Sequence, residues 1–163
     1  MRRIVITIVT LLLFLTGAGS ALAENTELRE AIDEVVGTPY EWGGTTAEGF
    51  DCSGFILYIF KQFDIKLPRT SKTQAKAGSA VDQEDLRLGD LVFFNTNGKD
   101  ISHAGIYIGE GQFAHSSSSK GVSISKLSDS YYAKRYVTAR RVVFGQNYTE
   151  MISDEHEDEE VNQ

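Results

Sequence analysis

The chain has 163 residues, 23 acidic and 16 basic, a net charge of −7, and one cysteine. That length suits one domain, and a lone cysteine excludes an intramolecular disulfide framework. Seven of the acids fall in Glu150–Gln163, where there is no Lys or Arg. The body is therefore near neutral and has no basic stripe, which excludes nucleic acid as a partner.

The chain opens with Met1-Arg2-Arg3. An apolar run follows from Ile4 to Leu15, then small residues ending in Ala21-Leu22-Ala23. A basic start, a short apolar middle and an Ala-x-Ala end are the parts of a secretory signal peptide. The run is too short for a membrane span, which takes about 20 apolar residues. Residues 1–23 are expected to be removed, leaving a secreted chain with no membrane attachment. Residues 24–149 form the folded domain. Residues 150–163 are an acidic tail that like-charge repulsion keeps disordered.

Within the domain, Leu28, Ile32, Val35 and Val36 share one helical face, and Gly37 can end that helix. Thr38–Gly44 reads as a loop, in which Trp42 is expected to bury as a core aromatic. Asp51 is a helix N-cap for Cys52–Phe63, whose Phe55, Ile56, Ile59, Phe60 and Phe63 make a broad apolar stripe. After a turn at 67–71, a short helix runs to about Ala77. The period then changes. Leu91–Phe94, His103–Ile108, Gln112–Ser116, Val122–Ser125 and Val137–Phe144 read as strands, and Ser116–Ser119 as a polar loop. Helices first and strands afterwards indicate an α+β fold with an antiparallel sheet.

Cys52 sits in the first turn of the most apolar helix, where N–H groups and the helix dipole favour a thiolate. Asp51 opposes that effect, so a reactive cysteine needs an imidazole nearby. The body holds two histidines, His103 and His115, on adjacent strands. A cysteine at a helix start with paired histidines fits nucleophile, base and orienter; an intermolecular disulfide, an inert buried thiol and a Cys/His zinc site are the alternatives. The zinc reading lacks paired Cys-x-x-Cys ligand spacing.

Five segments carry a resemblance: Pro39–Gly44, Asp51-Cys52-Ser53-Gly54-Phe55, Leu67–Ser71, Leu88–Phe94 and Ser102–Tyr107. In this order they resemble the NlpC-type cell-wall cysteine endopeptidases, over about Leu28 to Arg141. The resemblance implies a compact papain-like fold and hydrolysis of D-γ-glutamyl-diamino acid or related bonds in peptidoglycan peptides. It implies Cys52 as nucleophile, His103 as base and His115 as the polar residue holding His103. Tyr40 would lie over the cleft, and Asp51, Ser53, Ser71 and Arg69 would line the substrate subsites. No metal or organic cofactor is implied, and the protein is expected to act as a monomer, in the periplasm or at the wall. Acyl transfer to an amine and wall binding without catalysis are the competing functions.

The two histidines also make a geometric demand. Strand side chains alternate faces, so register decides whether the rings meet. A two-residue turn at Glu110-Gly111 would pair Gly109 with Gln112 and Ile106 with His115, and put the rings on opposite faces. A three-residue loop at Gly109-Glu110-Gly111 pairs Gly105 with His115 and brings both rings to one face, so that loop, or another of odd length, is expected, with both rings toward the Cys52 helix.

Overall fold

Thr26 starts the first helix by accepting a hydrogen bond from the Arg29 N–H at 3.3 Å. The computed structural model describes residues 26–153. The signal peptide expected at residues 1–23 lies outside them. Helix α1 (Glu27–Asp33) buries Leu28 and Ile32. It stops before Val35 and Val36, so Val35 is still covered while Val36 is 47% exposed.

A small hairpin, β1 (Thr45–Thr46) and β2 (Gly49–Phe50), delivers the chain to α2 (Cys52–Gln62). Asp51 caps α2 through the Gly54 N–H at 2.6 Å. Phe55, Ile56, Ile59 and Phe60 are fully buried. Each such side chain contributes roughly 1.5–3 kcal/mol, so α2 is the centre of the core. Helix α3 (Ser71–Gln74) follows, started by a Thr70–Thr73 capping box.

The remaining elements are β3 (Ser79–Val81), β4 (Leu91–Phe94), β5 (His103–Gly109), β6 (Gln112–Ser117), β7 (Gly121–Lys126), α4 (Ser130–Ala133), β8 (Tyr136–Arg141) and α5 (Gly145–Ile152). The strands form one antiparallel sheet in the order β3-β8-β4-β5-β6-β7. Alternation divides its two faces. Leu91, Phe93, Ala104, Ile106 and Ala114 join the α1/α2 core. Val92, Phe94, Phe113 and Ala139 form a second apolar cluster with Leu127, Tyr132 and Tyr136 packed around it. Because both faces are covered, β4 is buried at every position. The buried Asp90 just before β4 takes two hydrogen bonds from Arg141 on β8, at 2.9 and 2.8 Å, tying these strands together.

Three expectations need correction. The β5–β6 connection is a two-residue turn, with Glu110 at φ 52° and Gly111 at φ 70° and Gly109 paired with Gln112. A bulge between Tyr107 and Gly109 then shifts the ladder, so that Tyr107 pairs with Phe113 and Ile106 with Ala114. The extra residue is thus absorbed in the strand and not in the loop. Ser116 and Ser117 belong to β6 rather than to a loop, and the buried Ser116 hydroxyl donates to the Phe50 carbonyl at 2.8 Å. Finally, the folded body runs past residue 149. Helix α5 buries Met151 completely, and the Ser153 carbonyl accepts from the Glu27 N–H at 3.1 Å. The rest of the acidic tail, 154–163, lies outside the described residues.

Candidate active site

The Cys52 thiol lies where the start of α2 meets the start of β5. Its Sγ is 4.0 Å from the Ser102 carbonyl, and the Ala104 N–H points to it, so the sulfur touches the backbone on both sides of His103. Close packing makes this approach possible. A Cβ on Gly54 would collide with the Gly44 carbonyl, which anchors the loop against α2 by accepting from the Asp51 N–H at 3.1 Å. Burial, with the Asp51 charge next, pushes the Cys52 thiol up, against the helix-start effect expected from the sequence. Among the described residues, no carbonyl accepts from the Cys52 or Ser53 N–H, and both lie at the sulfur.

His103 and His115 meet. His103 Nε2 is 2.9 Å from His115 Nδ1, with the rings at 89°. They share the sheet face that carries Phe94, Phe113 and Tyr132, and not the face packed on the apolar stripe of α2. The expectation that both rings face that helix is therefore corrected. Cys52 meets β5 at its first residues, where the strand begins. Gly105 makes room for the pair, since a Cβ there would lie 2.6 Å from the Phe113 ring and 3.2 Å from the His115 Cβ. Burial among these rings holds both histidines neutral, His103 at about 4 and His115 at about 3. The two nitrogens face each other at hydrogen-bond distance, and among the described residues no group of three His, Cys, Asp or Glu is placed to hold a metal ion.

Beyond His115 the chain of contacts continues to residues that local sequence did not single out. His115 Nε2 is 2.9 Å from the Ser125 hydroxyl on β7 and 3.5 Å from the Tyr132 phenol of α4. The Tyr132 ring also stacks on His103 at 6.3 Å between centroids. Ser125 pairs with Phe113, one step diagonal from His115, so strand register was the only signal for it.

The other expected residues divide. Tyr40 is half-buried and bridges to Phe50; burial, then the charges of Cys52 and Asp51, push its phenol up, which places it in electrostatic reach of the thiol. Asp51 is saturated. It accepts from Gly54 and Gly43 N–H groups, from the Ser53 hydroxyl at 3.2 Å, and from both Arg69 Nη atoms at 3.1 and 2.6 Å. Burial pushes its carboxyl up, but Arg69, Gly54 and Ser53 together hold it below its ordinary value. Arg69 also donates to the Ser53 hydroxyl at 3.0 Å. Ser71 is buried at the start of α3. Trp42, expected in the core, is 89% exposed on the loop beside Tyr40. On the far side of the two histidines lies a cavity of about 390 Å³ whose wall includes Ser117, Lys120 and Asp129.

Residues 37–141 match the family described as NlpC/P60. The chain is 44% identical over 117 residues to the probable endopeptidase NlpC of Escherichia coli (strain K12), covering 71% of this chain and 76% of that one. It is 47% identical over 108 residues to the murein DD-endopeptidase MepS/murein LD-carboxypeptidase of the same organism, covering 66% of this chain and 57% of that one. A crystal structure of an NlpC/P60 family protein from Bacillus cereus superposes with a TM-score of 0.69 at 40% identity, covering 75% of this chain and 40% of that one.

Proposed function

The chain belongs to the NlpC/P60 family, and on that premise we propose that it is an exported cysteine peptidase that hydrolyses peptidoglycan stem peptides through a Cys52 thioester. The bond cut is a D-γ-glutamyl-diaminopimelate bond or a related amide. One observation carries the assignment: the Cys52 sulfur is held against the backbone on either side of His103, whose ring is oriented by His115 at 2.9 Å.

The roles follow from which atoms remain available. His103 engages His115 through Nε2, leaving Nδ1 as its basic nitrogen. Burial pushes the thiol up and the imidazole down to about 4, so both rest neutral. The sulfur loses its proton to His103 as it bonds to the substrate carbonyl carbon. The C–N bond then breaks, and His103 returns that proton to the departing amine. Water, deprotonated by His103, adds to the thioester carbonyl; the acid leaves and the thiol is restored. The Cys52 and Ser53 N–H groups and the Tyr40 phenol are the donors for the developing oxyanion, each contributing about 3–4 kcal/mol to lowering the barrier. Arg69 neutralises Asp51, and the two with Ser53 and Ser71 form the acyl-side wall. Residues 1–23 direct export and are removed, so the mature chain begins at Glu24 and acts as a monomer in the periplasm or at the wall. Among the described residues no helix is long and apolar enough to cross a membrane.

The test is Cys52→Ser with purified peptidoglycan and mass spectrometry of the fragments. Wall hydrolysis disappears while the melting temperature stays within a degree or two of the parent (about 0.5 kcal/mol). Turnover retained in that variant overturns the cysteine mechanism.

A further inference from the structure

Gln74 closes α3 and is completely buried, yet the catalytic steps make no use of it. Its backbone N–H is held by the Thr70 carbonyl at 2.8 Å, so the root of the side chain is fixed within the short helix. The amide nitrogen Nε2 donates twice. One bond runs to the Ser53 carbonyl at 3.2 Å and the other to the Pro68 carbonyl at 3.0 Å. Two carbonyls at one end of the amide fix its orientation, because the nitrogen alone can donate. The oxygen of the same amide, Oε1, is buried with no partner among the described residues. A buried orphan acceptor costs stability, and an unbranched apolar side chain of the same length would avoid it. The two donated bonds are therefore what the amide contributes.

Those bonds join two parts of the site. Ser53 follows the nucleophile in the first turn of α2, and its N–H serves the oxyanion in the mechanism above. Pro68 immediately precedes Arg69, whose Nη atoms reach Asp51 at 3.1 and 2.6 Å and the Ser53 hydroxyl at 3.0 Å. The Arg69 side chain is 41% exposed, and an exposed ion pair holds a long side chain poorly by itself. A buried bracket between Ser53 and Pro68 fixes the backbone from which Arg69 reaches out.

We propose that Gln74 is a positioning residue that fastens the Arg69 turn to the first turn of α2 and so sets Arg69 against Asp51 beside the thiol. The inference deepens the hydrolase reading above, in which Arg69 stands on the acyl-side wall. The charge balance at Cys52 reports it without any turnover. The ionisable groups around the thiol are Asp51, Arg69, the Tyr40 phenol and His103. With Arg69 fastened, its guanidinium offsets the Asp51 charge that pushes the thiol up. With Arg69 loose, Asp51 acts unopposed and the thiol titrates higher.

The test is the rate of Cys52 alkylation by iodoacetamide against pH, in the full-length protein carrying Gln74→Met. Methionine keeps the length of the side chain and removes both donors. The alkylation midpoint moves up by about half a pH unit, the scale of a partly screened neighbouring charge. The KM for a stem peptide rises about threefold to tenfold while kcat falls less. Arg69→Met alone gives the same upward shift, and adding Gln74→Met to it changes nothing more, because both act through one guanidinium. Gln74→Asn keeps an amide that is one methylene too short to reach both carbonyls, and it repeats the Gln74→Met result. Melting temperatures near that of the parent show that the variants are folded. An unmoved midpoint in either folded variant, or a full further shift on Arg69→Met, overturns the role. Assays of the parent on purified peptidoglycan separate the two readings. A parent that cuts nothing while the Gln74→Met midpoint moves overturns the hydrolase and leaves the positioning role standing. A parent that cuts, with an unmoved midpoint, leaves the hydrolase and overturns the positioning role.

Discussion

A single proton decides how the two histidines work. If His103 Nδ1 is to accept from the thiol, Nε2 must carry the hydrogen and donate it to His115 Nδ1. His115 must then hold its own hydrogen on Nε2, and the Ser125 hydroxyl, 2.9 Å away, is the acceptor that fixes that tautomer. The Tyr132 phenol at 3.5 Å is too distant to replace it fully. His103→Ala is therefore expected to cut kcat by about 10³-fold or more, because the base is gone. His115→Ala removes only the orienter and falls less. Ser125→Ala leaves both rings and lowers kcat about tenfold, with KM nearly unchanged. Ser125→Thr keeps the hydroxyl and restores the rate. A Ser125→Ala enzyme with full kcat, or a Ser125→Thr enzyme as slow as Ser125→Ala, sinks the relay.

At the scale of elements, the β5–β6 hairpin shows what local sequence can and cannot specify. Period-two patterning marked β4 to the residue and placed β5, β6 and β7 within a residue at either end, because alternation with a covered face leaves a strong trace. The Asp51 cap and the apolar stripe of α2 were legible for the same reason. The need for both histidines on one face was also legible, but the means was not. Glu110-Gly111 and Gly109 all adopt positive φ, and only the ladder beyond them shows that the odd residue sits in the strand. Trp42 and Ser125 escaped because their settings depend on what the chain packs beside them. Trp42 looks like a core residue by type, yet the core was already filled by Phe50, Phe55 and Phe60. Gly105→Ala probes the hairpin. The new Cβ presses on the Phe113 ring at 2.6 Å, the Ala114 carbonyl at 2.8 Å and the His115 Cβ at 3.2 Å. A loss of about 1–3 kcal/mol in denaturant unfolding is expected, as for other overpacked cores. kcat should fall as His115 is displaced. Parent-like stability and rate would show that the hairpin yields more easily than this packing allows.

The first and last helices of the described residues pack together, and the site makes the whole fold sensitive to pH. Helix α5 lies on α1, with Met151 in the main core and the Ser153 hydroxyl donating to Glu27 at 3.0 Å. Truncation after Ser153 should leave the melting temperature nearly unchanged, whereas truncation after Thr149 removes the buried Met151 and costs about 2–5 kcal/mol; equal effects would refute the role of α5. The pH dependence follows from the histidines. Both are held neutral in the fold, at about 4 and about 3 against 6.5 in a free chain. Between 6.5 and about 4 the unfolded chain therefore binds more protons than the native one. The linkage slope is positive there: stability is fully present above pH 6.5 and is lost as pH falls through the window, by up to about 2.7 kcal/mol per unit for two sites. Asp51, held below its ordinary value, adds its loss only in more acid solution. Urea unfolding from pH 8 to 4.5 should give a plateau and then a fall starting near 6.5. In a His103→Gln/His115→Gln variant the slope should flatten over the same range. A parent whose stability is level from pH 7 to 4.5 would mean that the rings take up protons in place, and that the buried neutral pair on which the mechanism depends is not held by the fold.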